Sequence, residues 1–183
     1  MCNNFTISDF DLTCGSNGGG LTAVIFDLRQ PAASYYSSYT DTGDFAPAYV
    51  SALNPTGTPS GVVVLDSFND YASGWTSNGN YNATTNTNLV TNETTIVFNT
   101  VSEMKKFDNM RASRPVIWTR DRQGKWTVTG FFYSNVPTAS TSQTGLQLTD
   151  AANKSITFTE TSIYSPVSAN TATAAWLDGL AGF

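Results

Sequence analysis

The hydrophobic period of this chain changes within one stretch, 100–164, and the change limits the folds that the sequence can adopt. Thr100 and Glu103 form the pattern of a helix capping box, and apolar residues follow them at helical spacing. Pro115 ends that spacing because it disfavours the α conformation of the preceding residue. After the proline the hydrophobic period is two residues, which is the period of a β-strand. We therefore predict one helix, 100–111, lying against an antiparallel sheet.

The residues after this proline predict two pairs of strands. The runs 116–121 and 125–133 are joined by a short loop in which Gly124 takes the positive-φ position of a hairpin. The runs 145–149 and 154–164 form the second predicted pair. In the run 125–133 one face carries Trp126, Val128 and Gly130, and the other carries Lys125, Thr127 and Thr129.

Composition extends this β-rich prediction to the whole chain. The 183 residues fit one domain, 1–183, and abundant Thr, Ser and Asn with only 13% charged residues favour an all-β protein with long loops. Further strands are predicted at 21–28, 61–66 and 94–100, and the polar segment 69–92 is predicted to be a long loop or a hairpin tip.

Two segments have the composition of arms that contact a neighbouring subunit. Residues 29–60 combine four prolines with five aromatic rings, and a loop of this length in a compact domain is usually functional or disordered. The C-terminal arm, 166–183, is too apolar to remain in water, so we expect it to dock on its own core or on a neighbour as a short helix or an extended segment. The predicted interface residues are Tyr35, Tyr36, Tyr39, Phe45, Tyr49, Trp176, Leu180 and Phe183.

Charge is distributed unevenly along the chain. The first hundred residues hold eight acids and one base, Arg29, whereas seven of the nine basic residues lie between Lys105 and Lys125. An acidic chain without a basic stripe is not typical of nucleic-acid binding. The basic cluster is predicted either to meet an acidic surface of another subunit or to be solvated. It comprises Arg111, Arg114, Arg120, Arg122 and Lys125.

The residues that commonly carry catalysis or hold metals are sparse. The chain has no histidine, and no phosphate loop, nucleophile elbow, dinucleotide fingerprint or calcium loop is present. Its two cysteines, Cys2 and Cys14, define no disulfide framework, and no apolar run approaches membrane-spanning length. We expect a protein with free thiols that is made in a cytoplasm, has no enzymatic activity, needs no cofactor or metal, and has no membrane partner.

The order of motifs in 93–164 resembles the tail tube proteins of long-tailed bacteriophages. A polar strand leads into the capped helix. Two segments follow the helix: Arg114-Pro-Val-Ile117 and Arg120-Asp-Arg-Gln-Gly-Lys-Trp-Thr-Val-Thr-Gly130. The last three segments in this order are Thr144-Gly145, Asp150-Ala-Ala-Asn153 and Ser155-Ile-Thr-Phe-Thr-Glu160. Near the start, Cys14-Gly-Ser-Asn-Gly-Gly-Gly-Leu21 resembles the Cys and Gly-Gly entry to the first strand of that family.

This resemblance implies an antiparallel β-sandwich or partial barrel flanked by one helix. Such subunits form hexameric rings whose strands merge into one inner barrel, and the rings stack through a long loop, which here corresponds to 29–60. The resemblance also implies that the protein is a virion component, that it contacts other tail proteins, and that DNA passes through its lumen during ejection without specific binding.

Two other classes of protein remain open at this point. One is a capsid-decorating or neck protein of a virion, which is also a structural protein. The other is a glycan- or receptor-binding β-sandwich that uses the loop aromatics Tyr71, Trp75 and Tyr81. A tube protein forms hollow rods, a decoration protein stays monomeric or trimeric, and a lectin binds glycan without assembling.

Overall fold

The computed structural model describes nine parts of the chain: residues 19–28, 61–65, 68–85, 87–98, 110–130, 133–143, 153–162, 166–169 and 171–183. Within them the protein is mostly β, with two antiparallel sheets and one short helix, as predicted. The strands are β1 (Leu21–Asp27), β2 (Val62–Val64), β3 (Gly74–Asn82), β4 (Thr87–Phe98), β5 (Val116–Asp121), β6 (Trp126–Thr129), β7 (Val136–Gln143), β8 (Asn153–Ser162) and β9 (Val167–Ser168), and the helix is α1 (Thr171–Ala181).

The strands divide into a five-stranded and a four-stranded sheet. The five-stranded sheet has the order β2-β1-β5-β6-β9, and the four-stranded sheet has the order β3-β4-β8-β7. Every pairing is antiparallel. The predicted strands at 21–28 and 61–66 are confirmed as β1 and β2. The segment 69–92 contains β3 and the start of β4, which pair as a long hairpin.

Helix α1 covers one face of the five-stranded sheet. Leu177 is fully buried in a core with apolar residues from four strands of that sheet. Trp176 and Leu180 are partly buried against the same core, so the C-terminal arm docks on its own domain in this structure. Burying side chains of this size stabilises the fold by roughly 1.5–3 kcal/mol each. The strand residues of this core are Ala23, Ile25, Val62, Val116, Trp118, Trp126 and Val128.

The opposite face of the five-stranded sheet packs against the four-stranded sheet. Phe26 and Phe158 meet there with ring centroids 5.5 Å apart in a tilted arrangement, a favourable geometry for two aromatic rings. Ile96, Phe98, Ile117 and Ile156 complete the centre of this second core. The protein is therefore layered as a helix, a five-stranded sheet and a four-stranded sheet, and the outer face of the four-stranded sheet points away from both cores.

Strand β6 has the two faces that its alternation predicts, and both are buried. The β5–β6 hairpin and the positive φ of Gly124 are as predicted. Thr127 and Thr129, on the face opposite Trp126 and Val128, are only 5% and 1% exposed, and Thr129 Oγ1 lies 3.0 Å from Thr94 Oγ1 of the four-stranded sheet. Their hydroxyl-bearing face is buried in the inter-sheet layer, whereas Trp126 and Val128 face α1.

The predicted helix at 100–111 lies almost entirely outside the described residues. Met110 and Arg111 are helical, and Met110 is buried in the inter-sheet core, consistent with a packed apolar side. Strand β8 (Asn153–Ser162) forms close to its predicted position. Its described partners are β4 and β7 rather than 145–149, which the structure does not describe.

Candidate functional site

The outer face of the four-stranded sheet is covered with hydroxyl groups. Alternation along β8 turns Ile156 and Phe158 into the core and turns the intervening residues outward. Side-chain hydrogen bonds then join hydroxyls across neighbouring strands of this face. These bonds are Thr95 Oγ1 to Thr157 Oγ1 at 2.9 Å, Thr138 Oγ1 to Thr159 Oγ1 at 2.8 Å, and Thr141 Oγ1 to Ser155 Oγ at 2.6 Å.

This hydroxyl face carries almost no charge. Among its described side chains Glu93 is the one ionisable group, and it is exposed. Threonine, serine and asparagine make up most of the remainder, and paired hydroxyls leave few groups to bind a charged ligand strongly. A face of this kind presents a hydrated, neutral to weakly acidic surface, which repels a polyanion weakly and offers it no cationic partner.

The face ends on both sides at an outer strand, β3 on one side and β7 on the other. Within the described parts of the chain, no strand pairs with the outer side of either one. Strand β3 is nine residues long and contains no charged residue and no proline, so it lacks the features that usually protect an edge from pairing. Strand β7 contains Pro137 and a register shift beside it. Strand β7 therefore has two features that discourage pairing at an edge, whereas β3 has neither a charged residue nor a proline.

A buried carboxylate on the inner side of this sheet anchors the chain that follows β6. Glu160 is 3% exposed, and its Oε2 accepts hydrogen bonds from Asn92 Nδ2 at 3.1 Å and from Gly130 N–H at 3.0 Å. Its Oε1 accepts a third from Tyr133 N–H at 3.3 Å. Ser77 Oγ donates to Asn92 Oδ1 at 2.7 Å and extends the network to β3. The carboxylate therefore ties β8 to the end of β6, and the network behind it reaches the outer strand.

The backbone beside Glu160 is tightly packed. Gly130 has a φ of 76°, and a Cβ there would collide with Asn135, lying 2.9 Å from its backbone nitrogen. Asn135 is fully buried and donates from Nδ2 to Pro115 O at 3.1 Å and to Thr129 Oγ1 at 3.3 Å. These bonds fix the path of the chain into β7.

The structure divides the predicted basic cluster between the two ends of β5. Arg111 and Arg114 precede this strand, whereas Arg120, Arg122 and Lys125 lie at its other end, about 20 Å of strand away. The five residues therefore do not form one patch.

Two arginines of the cluster have acidic partners within the chain. Arg120 Nε donates to Asp178 at 3.0 Å, and Arg122 donates to Asp70 at 2.7 Å. Both guanidinium groups also lie over aromatic rings, Arg120 at 4.1 Å from the ring centroid of Phe183 and Arg122 at 4.0 Å from that of Tyr71. Their local role is to fasten the hairpin tip to the C-terminus and to the loop before β3.

The predicted interface residues fall into two groups. The first group lies outside the described residues and comprises Tyr35, Tyr36, Tyr39, Phe45 and Tyr49. Trp176 and Leu180 pack partly on their own core, and Phe183 remains 61% exposed. A role of either group in subunit contacts stays a prediction.

The described residues contain no group of three His, Cys, Asp or Glu side chains placed to hold a metal ion, and both cysteines lie outside them. No helix in the described part of the chain is long and apolar enough to cross a membrane.

Sequence reasoning missed the hydroxyl face and the buried network, although the first had a visible signal. The run 155–161 alternates hydroxyl residues with Ile156, Phe158 and Glu160, which is the period of a strand with one polar face. The same alternation places Glu160 on the face of Ile156 and Phe158, whereas nothing local to Asn135 distinguishes it from a solvated loop residue. No protein-family model, curated protein or solved structure matches this chain at a significant level.

Proposed function

We propose that this protein is a structural subunit of a bacteriophage tail tube, in which copies assemble as stacked hexameric rings around a channel that conducts DNA during ejection. The observation that carries the proposal is the hydroxyl face of the four-stranded sheet, whose described side chains are nearly uncharged and which ends at the outer strands β3 and β7. In the proposed ring this face lines the lumen, and α1 and the five-stranded sheet form the outer layers.

The chemistry of the face suits a channel through which DNA slides. Lysine and arginine bind phosphates and release counterions, so a basic lumen would retain DNA at physiological salt. Among the described side chains of the hydroxyl face there is no basic group, and Glu93 contributes weak repulsion. Paired hydroxyls such as those of Thr138 and Thr159 keep the surface hydrated without offering a strong site.

The motif order in 93–164 supports the same proposal independently of the face. It resembles tail tube subunits in its strands, in the Arg-Pro step at Arg114 and in the 120–130 hairpin. That hairpin forms β5 and β6 at the centre of the structure. A ring also offers partners for edge strands that pair with no further strand among the described residues, because closing a sheet on itself removes every edge.

Electron microscopy of the purified protein tests this proposal. We expect hollow rods or six-fold rings, and we expect the assembled protein not to retain duplex DNA in a filter assay at physiological salt. A monomer or trimer that binds capsids would favour a decoration protein. Glycan binding without assembly, lost on replacing exposed Trp75 or Tyr81, would favour a lectin. Either result, or salt-sensitive DNA retention by the rods, would overturn the tube proposal.

A further inference from the structure

Strand β3 contains the dipeptide Asn78-Gly79, and both of its residues are exposed. An asparagine that precedes glycine deamidates more readily than one that precedes any larger residue, because glycine has no Cβ to obstruct the approach of its own backbone nitrogen. We propose that Asn78 is a site of spontaneous deamidation in the folded protein, with water as the co-reactant. The reaction needs no enzyme, and the site does not depend on assembly into a ring.

The reaction proceeds through a cyclic imide. The backbone nitrogen of Gly79 gives up its proton and attacks Cγ of Asn78, so that a carbon–nitrogen bond forms and the side-chain amide takes up a proton and leaves as ammonia. Water then opens the ring at one of its two carbonyl carbons. Breaking the new bond to Cγ gives aspartate, whereas breaking the original peptide bond gives isoaspartate, in which the chain runs through the former side chain. One water is consumed, one ammonia is released, and nothing is oxidised or reduced.

The position of Asn78 near the end of the β3–β4 hairpin keeps the required movement local. The attack needs the backbone of Asn78 to rotate out of the extended conformation, so the strand must open at that residue. Ser77 Oγ donates to Asn92 Oδ1 at 2.7 Å and holds the strand just before the site. Beyond the site β3 continues only to Asn82. Neither described core contains a residue of 78–89, so this end of the hairpin can open while both cores stay packed.

The product carries a new negative charge on the hydroxyl face. Asn78 lies opposite Thr91, and Thr76 lies opposite Glu93, so Asn78 and Glu93 are diagonal neighbours on this face. Diagonal neighbours of an antiparallel pair are about 7–8 Å apart. Deamidation therefore places a second carboxylate beside the one ionisable group among the described side chains of the face. If the face lines the lumen, the change adds to its repulsion of DNA, and that consequence, unlike the site itself, rests on the proposed function.

The isoaspartate product also changes the backbone. Its main chain contains an extra CH2 at position 78, so the residues that follow lose their alternation relative to β4. The pairs from Gly79 with Val90 to Asn82 with Thr87 then cannot all keep their register. We expect faster deuterium exchange at this end of the hairpin in the isoaspartate form, with the exchange of β5 unchanged.

Peptide mapping of aged protein by mass spectrometry tests the site. The purified protein is incubated at mildly alkaline pH and sampled over several weeks. We expect the peptide that contains Asn78 to gain about 1 Da, the difference between an amide NH2 and a hydroxyl, and to separate into aspartate and isoaspartate forms. Asn80 is the matched control, because it is exposed on the same strand and face but precedes Tyr81. Gly79→Ala should slow the conversion of Asn78 by a factor on the order of ten.

The full chain unfolded in urea gives the conversion rate in the absence of β3. Conversion of Asn78 in the folded protein, faster than that of Asn80, would support the proposal. Conversion of Asn78 only in the unfolded chain would overturn it, because the strand would then protect the dipeptide, and equal conversion of Asn78 and Asn80 would overturn it as well. Peptide mapping gives the same readout in monomers and in rods. Failure of the site therefore leaves the tube proposal standing, and failure to form rods leaves the site standing.

Discussion

Asp178, in the last two turns of α1, accepts a hydrogen bond from the indole Nε1 of Trp126 at 2.8 Å. The same carboxylate oxygen accepts from Arg120 Nε at 3.0 Å. Trp126 is 1% exposed at the centre of the core under α1, so this bond provides a partner for a buried donor. One carboxylate thus joins the C-terminal helix to both strands of the central hairpin.

Replacing Asp178 with alanine should destabilise the protein by about 2–4 kcal/mol, because it leaves the indole N–H of Trp126 and the Arg120 guanidinium without this acceptor. Chemical denaturation measures the change. Asp178→Asn keeps an acceptor oxygen and should cost less. Equal losses for the two variants would show that the charge, rather than the acceptor, holds the helix.

Glu160→Ala should cost about 3 kcal/mol or more, because two buried N–H groups and one partly buried N–H group lose their acceptor. Glu93→Ala removes an exposed carboxylate from the adjacent strand of the same sheet and should change stability by less than about 0.5 kcal/mol. Measuring the free energy of unfolding of each variant tests whether the loss at Glu160 is larger than the loss at Glu93. Similar small values for both would contradict a structural role for the Glu160 network.

Gly130→Ala should be far more damaging than Gly124→Ala. Both glycines have positive φ, so both substitutions strain the backbone by about 1 kcal/mol. At Gly130 the new methyl group also meets the backbone and side chain of Asn135, whereas at Gly124 its nearest neighbour is the Arg120 guanidinium at 3.2 Å. Thermal melts compare the two variants. A Gly130→Ala protein as stable as Gly124→Ala would show that the loop after β6 moves aside easily.

Adding a positive charge to the hydroxyl face should make assembled protein retain DNA if that face lines the lumen. Thr161→Lys places the charge on the face, and Ala175→Lys places the same charge on the exposed side of α1. Filter binding at several salt concentrations measures retention, which should be salt-sensitive for the first variant and near background for the second. Retention near background for the Thr161→Lys variant as well would place the hydroxyl face outside the channel, and equal retention by both variants would show that retention does not depend on that face.

Deleting residues 34–52 should leave a folded, soluble domain that no longer forms rods. The strands that flank the excision pair directly with each other, and Leu28 N–H donates to Gly61 O at 2.8 Å, so a shorter connection can still close between them. The far-ultraviolet circular dichroism and melting temperature test folding, and microscopy tests assembly. Rods of normal length would show that stacking does not depend on the aromatic segment 29–60.

Local patterns in the sequence were sufficient for the elements that they specify directly. The apolar runs of β1 and β2 and the Gly124 loop of the β5–β6 hairpin were predictable because turn chemistry and side-chain period coincide there. Strand β7 was not predicted, since Pro137 and a run of Thr and Ser residues give neither apolar alternation nor a strong turn signal. Strand β7 pairs with β8 along its length, although its own sequence does not indicate a strand.

The buried polar residues could not have been recognised from sequence for a different reason. Thr94 and Thr129 lie 35 positions apart in the chain, yet their hydroxyl oxygens are 3.0 Å apart between the two sheets. Thr129, read alone, fits an outward-facing strand position. Only the packing of one sheet on the other provides its partner, and that packing depends on the whole fold.

The position of β5 has a consequence for how the molecule opens. This strand lies between β1 and β6, with Trp118 facing the helix-side core and Ile117 facing the inter-sheet core. Its amide protons cannot reach solvent unless both layers separate, so in deuterium exchange they should be among the last to be replaced. Their exchange rate would report the free energy of complete unfolding, whereas the amides of the exposed β3 edge would report only local fraying.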